Sequence, residues 1–192
     1  MIRKKIINAF LKKYNVRDED AVILEYGLSK MFMFLEDVVF TLVLGYLLGI
    51  IIESIVFQTL FILLRMYAGG YHSETEEKCK IYSALVTVSS LVLIKFLPDG
   101  TWLSFLFILA ASALISILAP VEAVKKPLSD AERKIYCKRA VIITVIADVI
   151  LAFDLILGGS IFYKPIMVGL YGVCIFMVIG KISNKRAHET KI

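Results

Sequence analysis

The chain has 192 residues, a net charge of +5 and a hydrophobic content of 59%, with a mean hydropathy of +0.80. Soluble domains are roughly 45–50% apolar. Here the excess is gathered into long blocks separated by charged segments, which excludes a large separate soluble domain and indicates a polytopic membrane protein. No basic stripe interleaved with aromatic residues lies outside the blocks, so nucleic acid is not an expected partner.

Residues 1–16 are predicted to form an amphipathic helix at the membrane surface. Apolar side chains recur there at helical spacing, and the basic side chains fall largely on the opposite side. Such a helix can lie on an anionic leaflet, and a helix packed against the protein's own loops is an equal alternative. The segment lacks a continuous apolar core and a cleavage site, so we expect no signal peptide. Residues 1–30 together are predicted to be a cytoplasmic arm.

Six apolar blocks follow a turn predicted at residues 18–20. The blocks cover about residues 31–52, 55–66, 81–97, 102–119, 140–157 and 161–179. A helix needs about 20 residues to cross the hydrocarbon layer, and the second block is short for this. The predicted fold is therefore all-α, with about six transmembrane helices. Four full spans plus a broken or re-entrant pair is the alternative.

Basic residues occur in alternate connections between these blocks. The basic regions are the N-terminal arm and residues 65–80, 120–139 and 181–192, whereas the turns near residues 53, 98–100 and 158–160 carry almost no basic side chains. With six crossings, all the basic regions fall on one side. The positive-inside rule then places both termini and residues 65–80 in the cytoplasm.

Residues 65–80 contain one of the two histidines and one of the three cysteines of the chain. A thiol becomes a nucleophile when a neighbouring base or a helix N-terminus favours its thiolate. His72 and Cys79 would be about 10 Å apart along a continuous helix, so the backbone must turn between them, which Gly69-Gly70 allows. We expect Cys79 in an early helical turn, with positive charge from Lys78 and Lys80 nearby and His72 folded back as its base.

Other residues of this segment have weaker predicted roles. Arg65 could pair with a substrate carboxylate or hold the segment in place, and a side chain that snorkels to the membrane edge is the equal alternative. Gly70 is expected to serve the geometry of the loop. Ser73 could orient His72 or donate to an oxyanion, although a helix cap or a solvated side chain fits better. The sequence identifies no third catalytic residue.

Four carboxylates lie within the apolar blocks, where such groups often face a polar cavity or a partner. They are Glu36, Asp37, Asp148 and Asp154, and none is predicted to be catalytic. No metal and no cofactor are predicted, because the spacing of His72, Cys79, Cys137 and His188 matches no compact ligand pattern.

The same segment resembles the signature of the accessory gene regulator protein B (AgrB) family of Gram-positive bacteria. The matching residues are Arg65, Gly69-Gly70, His72 and Cys79. Residues 119–122 and 125–128, the overall length and the layout of the blocks are similar to the family as well. The resemblance therefore covers nearly the whole chain and implies one AgrB-like integral membrane domain over residues 1–192.

This resemblance implies a membrane cysteine endopeptidase that processes AgrD, the short precursor of a quorum-sensing peptide. Cys79 would attack the carbonyl at the end of the signal segment and His72 would take the thiol proton. The acidic C-terminal tail of AgrD would leave, and the remaining thioester would close into a thiolactone or lactone. The location implied is the cell membrane of a Gram-positive bacterium, with an AgrD-like propeptide and the lipid bilayer as partners; a homodimer stays open.

A non-enzymatic membrane protein, either a transport subunit or a partner of another protein, is the alternative function. It predicts that loss of the Cys79 thiol leaves function intact. A secondary transporter is less favoured, because the two halves of the chain show no evident repeat. An oxidoreductase is less favoured because the sequence has no Cys-x-x-Cys.

Overall fold

The structure, a computed structural model, describes residues 18–70, 76–98, 102–122, 128–159 and 161–189. These residues form six helices: α1 (Asp18–Leu48), α2 (Ile51–Ala68), α3 (Glu76–Phe96), α4 (Trp102–Leu118), α5 (Asp130–Ile156) and α6 (Tyr163–Glu189). The described residues contain no strand, and one isolated bridge pairs Gly69 with Val121. The predicted all-α fold class is confirmed.

Each of the six apolar blocks falls largely within its own helix, but two predicted boundaries are wrong. Residues 18–20 do not form a turn; they begin α1, which is 31 residues long and includes the amphipathic run before the first block. The first block also ends earlier than residue 52, because the chain turns at Gly49, whose φ is 70°. Apolar content alone does not reveal this break, since both sides of it are equally apolar.

Four of the helices contain a stretch long and apolar enough to cross a membrane. These stretches are Asp20–Leu48, Ile51–Ala68, Glu77–Phe96 and Tyr163–Lys185. The second block, which looked short, is extended by helical flanks on both sides into the 18-residue α2. The chain therefore has the helices of a multi-pass membrane protein. Six crossings stay a prediction, and the helix expected at residues 1–16 lies outside the described residues.

Helices α2 and α6 pack against each other at the centre of the bundle. Helices α1 and α5 also contact α2, and α3 and α4 contact α6. Leu60 and Leu64 on α2 and Leu170 on α6 belong to one buried cluster. Gly169 allows the close approach, because a Cβ there would lie 3.3 Å from the Leu60 side chain. Small residues at the contact are typical of helices packed within a membrane.

Parts of the predicted cytoplasmic loop 120–139 and of the predicted tail 181–192 belong to long helices. Helix α5 begins at Asp130, inside the predicted loop 120–139, and α6 continues through most of the predicted tail to Glu189. A capping box starts α5: Ser129 Oγ accepts from the Glu132 N–H at 3.3 Å, and Glu132 Oε2 accepts from the Ser129 N–H at 2.9 Å. The Ser-x-x-Glu pattern that predicts such a start was present in the sequence.

The segments that follow α2 and α4 meet the end of α6 at one end of the bundle. The Gly70 N–H donates to the Val121 carbonyl oxygen at 3.1 Å, and Asn184 Nδ2 donates to the Glu122 carbonyl oxygen at 2.6 Å. Described parts of three predicted basic regions therefore share this end. That arrangement agrees with the alternation of basic connections along the chain.

Candidate active site

Cys79 lies in the first turn of α3 and is half-buried, with a free thiol. It lines a cavity of about 390 Å³ between α1, α2, α3 and α6, which we call the Cys79 cavity. The other lining residues are Asp37, Phe61, Ile62, Arg65, Met66, Tyr82, Ser83, Val86 and Phe176. The walls are mostly apolar, so the few polar side chains dominate the electrostatics within the cavity.

Arg65 lies near the C-terminus of α2 and turns inward to this cavity. Its guanidinium donates to the Gly69 carbonyl oxygen and lies 5.2 Å from the centre of the Phe176 ring. Arg65 and Cys79 line the same cavity. The side chain therefore holds the chain just after α2 and supplies positive charge beside the thiol, instead of reaching away from the bundle.

Gly69 and Gly70 carry the chain out of α2 with φ values of 74° and 118°. A Cβ on Gly69 would overlap the Val121 carbonyl group, and a Cβ on Gly70 would lie 2.9 Å from the Phe176 carbonyl oxygen. Both the backbone conformation and the lack of space therefore require glycine. Gly70, the last described residue before residues 71–75, is therefore held in place against Arg65 and Phe176.

Asp37 on α1 is a neighbour of Cys79 that the sequence did not place at the site. Its Oδ1 accepts from Ser83 Oγ at 2.8 Å, and its Oδ2 accepts from Gln58 Nε2 at 3.0 Å. Asp37, Cys79 and Ser83 also line a second cavity of about 560 Å³. The available signal was two polar side chains within the apolar blocks, Asp37 in the first and Gln58 in the second.

Lys80, next to Cys79 in the chain, is paired with a carboxylate of another helix. Its ammonium group forms an ion pair with Glu36 on α1. The positive charge expected from Lys80 is thus largely balanced by Glu36. Among the described residues, Arg65 is the cation that lines the cavity of about 390 Å³ with Cys79.

The remaining two carboxylates in the apolar blocks have partners away from Cys79. Asp154 Oδ2 accepts from the N–H groups of Phe162 and Tyr163, both at 3.2 Å, and so caps the start of α6. Asp148 accepts from Ser112 Oγ at 2.8 Å, which links α5 to α4. Both are structural contacts between helices or at a helix end.

A basic cavity of about 760 Å³ lies where α4 ends and α5 begins, beside the end of α6. Four basic side chains line it: Arg133, Lys134, Lys138 and Lys181. Glu122 is the only acidic residue among the described residues that line it, and its carboxylate is paired with Arg133. The cavity therefore carries a net positive charge.

Some residues noted in the sequence lie outside the described part of the chain, and others lie away from Cys79. His72 and Ser73 lie in residues 71–75, outside the described part of the chain, and so does the side chain of His188. Cys137 lines the basic cavity, whereas Cys174 is buried on α6. Among the described side chains, no group of three His, Cys, Asp or Glu could hold a metal ion.

The fold and the site define a class: a polytopic helical membrane protein with a cysteine and an arginine in one cavity at the end of its bundle. The chain belongs to the AgrB family, because the family model described as Accessory gene regulator B matches residues 3–179. The resemblance noted from the sequence is thereby confirmed.

Two relatives show how far the similarity extends. The chain is 26% identical over 187 residues to AgrB-like protein 2 of Clostridium perfringens (strain 13 / Type A), covering 90% of this chain and 86% of that protein. It is 27% identical over 151 residues to an AgrB-like protein of Lactiplantibacillus plantarum, covering 78% and 75%. No solved structure is significantly similar.

Proposed function

We propose that this chain is a membrane-embedded cysteine endopeptidase that removes the acidic C-terminal tail from a short AgrD-like quorum-sensing propeptide. Membership of the AgrB family supports a role in AgrD processing. The observation that carries the thiol mechanism is the cavity of about 390 Å³ lined by both Cys79 and Arg65. It offers a nucleophile at the start of a helix, where the helix dipole favours a thiolate.

The proposed reaction has two acyl transfers. The Cys79 thiolate attacks the carbonyl carbon of the scissile peptide bond, the C–N bond breaks, and the tail leaves as an amine that takes up a proton. A peptidyl thioester to Cys79 remains. A cysteine thiol or a serine hydroxyl of the propeptide then attacks this thioester, the bond to the Cys79 sulfur breaks, and a thiolactone or lactone forms. The thioester retains the acyl energy, so ring closure needs no ATP.

His72 is the proposed base that takes the thiol proton and gives it to the leaving amine. Two residues of chain span at most about 7 Å, and His72 follows Gly70 by two residues. Gly70 lies against Arg65 and Phe176, which both line the Cys79 cavity. Chain connectivity therefore supports a histidine close to the thiol. Arg65 is proposed to hold this segment and to stabilise negative charge near Cys79.

The basic cavity is the proposed binding site for the acidic tail of the propeptide. Its lysines would attract carboxylates and guide the substrate into register. Val121 in its wall is bridged to Gly69, so the tail site and the segment before His72 share one backbone contact. A tail held there would lie beside the catalytic segment.

The proposed setting is the cytoplasmic membrane of a Gram-positive bacterium, with both termini and the two cavities on the cytoplasmic side. Several described helices are long and apolar enough to cross a bilayer. A ribosomally made propeptide would reach the site from that side. A homodimer is compatible with this arrangement and is not required by it.

The test is cleavage of an AgrD-like propeptide by the purified protein in liposomes, followed by mass spectrometry. Wild-type protein is expected to release the tail and form an adduct at Cys79. Cys79→Ala and His72→Ala should release none. Cys174→Ala is the matched control and should cleave normally, because Cys174 is buried on α6 and lines neither cavity. Unchanged cleavage by Cys79→Ala would rule out the thiol mechanism, and no cleavage by wild-type protein would favour a non-enzymatic membrane role.

A further inference from the structure

We infer that Asp37 is a positioning residue that holds Cys79 and Arg65 in their relative positions across the Cys79 cavity. The inference deepens the proposed function and rests on it. The carboxylate of Asp37 accepts one hydrogen bond from each of the two helices that carry these residues. Ser83 lies on α3 and donates at 2.8 Å, and Gln58 lies on α2 and donates at 3.0 Å.

Each hydrogen-bond donor lies on the same helix face as the reactive side chain of its helix. Ser83 is four residues after Cys79, and Gln58 is seven residues before Arg65. Positions four or seven residues apart lie on nearly the same face of a helix. The bonds to Asp37 therefore fix the two faces that present Cys79 and Arg65 to the cavity.

The buried residue Thr41 fixes the orientation of the Gln58 side-chain amide. Its hydroxyl lies 3.2 Å from Gln58 Oε1 and 2.8 Å from the Asp37 carbonyl oxygen. Both Thr41 and Gln58 are buried. With Oε1 facing the Thr41 hydroxyl, Gln58 directs its amide N–H at Asp37. The single Thr41 hydroxyl proton is shared between Gln58 Oε1 and the Asp37 carbonyl oxygen, and a connected polar network of this kind favours one arrangement of the helices.

The location of Asp37 separates this network from an ordinary contact between helices. Asp37, Cys79 and Ser83 are the three residues that line both cavities beside the thiol. The hydrogen bond between Ser112 and Asp148 has the same chemistry and the same length of 2.8 Å, but neither residue lines those cavities. The chain thus contains a matched control in which a serine–aspartate pair joins two helices away from Cys79.

The experiment measures kcat and KM for propeptide cleavage in liposomes with single and double variants. Asp37→Leu removes both hydrogen bonds and is expected to lower kcat about tenfold or more, because small displacements of reacting groups can cost about a hundredfold. KM should stay within about twofold, since substrate binding is not the step affected. Ser83→Ala should lower kcat less, and adding it to Asp37→Leu should cause no further loss.

Asp37→Asn tests rescue by a conservative variant. Its side-chain oxygen can accept from Gln58 and its amide can donate to Ser83, so kcat should stay within about threefold of wild type. Ser112→Ala should cleave like wild type. The inference fails if Asp37→Leu retains full kcat, or if Ser112→Ala lowers kcat as much as Ser83→Ala does.

A second readout requires no cleavage. N-ethylmaleimide labelling of Cys79, measured by mass spectrometry relative to Cys137, should be at least about threefold faster in Asp37→Leu, because α3 loses its hydrogen bond to Asp37 on α1. Ser112→Ala should leave this ratio unchanged. If wild-type protein does not cleave the propeptide, the proposed function fails and this ratio still decides the role of Asp37. An unchanged ratio in Asp37→Leu would overturn the inference.

Discussion

The basic cavity and the cavity of about 390 Å³ lined by Cys79 and Arg65 favour different functions. The Cys79 cavity has mostly apolar walls and a small set of polar groups, each held by a neighbour: Arg65 by Gly69, and Asp37 by Gln58 and Ser83. The basic cavity is about twice as large and lined by lysines on exposed helix faces. Fixed groups favour chemistry at one bond, and mobile charges favour capture of a flexible acidic chain.

The two cavities are joined through the backbone. Gly69 is bridged to Val121, Val121 lines the basic cavity, and the Gly69 carbonyl oxygen accepts from Arg65. A change at Gly69 should therefore affect both cavities, whereas a change to a side chain in one cavity should affect that cavity alone.

Gly69→Ala is expected to have the largest effect. A non-glycine residue at positive φ costs about 1–2 kcal/mol, and the added Cβ would also collide with the Val121 carbonyl group. Gly158→Ala is the matched control, because Gly158 has φ of 68° and open space around its Cα. In thermal unfolding in detergent, Gly158→Ala should lower Tm by about 2–4 °C per kcal/mol lost. Gly69→Ala should lower Tm clearly further and abolish cleavage, and equal effects would mean that the bridge is unimportant.

Arg65→Lys should have the next largest effect and should act on the Cys79 cavity alone. Lysine cannot reproduce the planar guanidinium that both stacks on Phe176 and donates to Gly69. We expect kcat to fall about tenfold, the equivalent of one strong charged hydrogen bond. Arg139→Lys is the control, because Arg139 also lies 5.2 Å from an aromatic ring, that of Tyr67, but outside the Cys79 cavity. A similar loss of kcat in both variants would contradict a specific role for Arg65.

Replacing the three cavity lysines should have the smallest effect and should appear in KM. We expect the variant with Lys134→Gln, Lys138→Gln and Lys181→Gln to raise KM about fivefold, from three screened contacts of about 0.3 kcal/mol each. Its KM should also depend less on salt concentration. Lys95→Gln, on α3 beside the turn at Gly49, should change neither constant. A fall in kcat with constant KM would reverse the roles assigned to the two cavities.

Parts of the site could be predicted from the sequence because they depend on neighbouring residues. Gly69-Gly70 and the helical position of Cys79 follow from residue types within a few positions. Asp37 was noted as a carboxylate in an apolar block, but its contact with Ser83 joins residues 46 positions apart. Such a contact depends on how α1 and α3 pack, and no local pattern contains that information. The ion pair between Lys80 and Glu36 was likewise not predicted from the sequence, because Glu36 lies on another helix.

Block length, hydrophobicity and motif spacing are local properties of the chain, so the all-helical membrane class, the six apolar blocks and the family signature could all be predicted from the sequence. That Asp37, Arg65 and Cys79 share a cavity, and that Val121 meets Gly69, could be learned only from the packing of the helices. Each of these contacts is set by the relative position and rotation of separate helices. In a bilayer many rotations leave apolar faces equally satisfied, so the polar pairs between helices and the close glycine contacts select the arrangement.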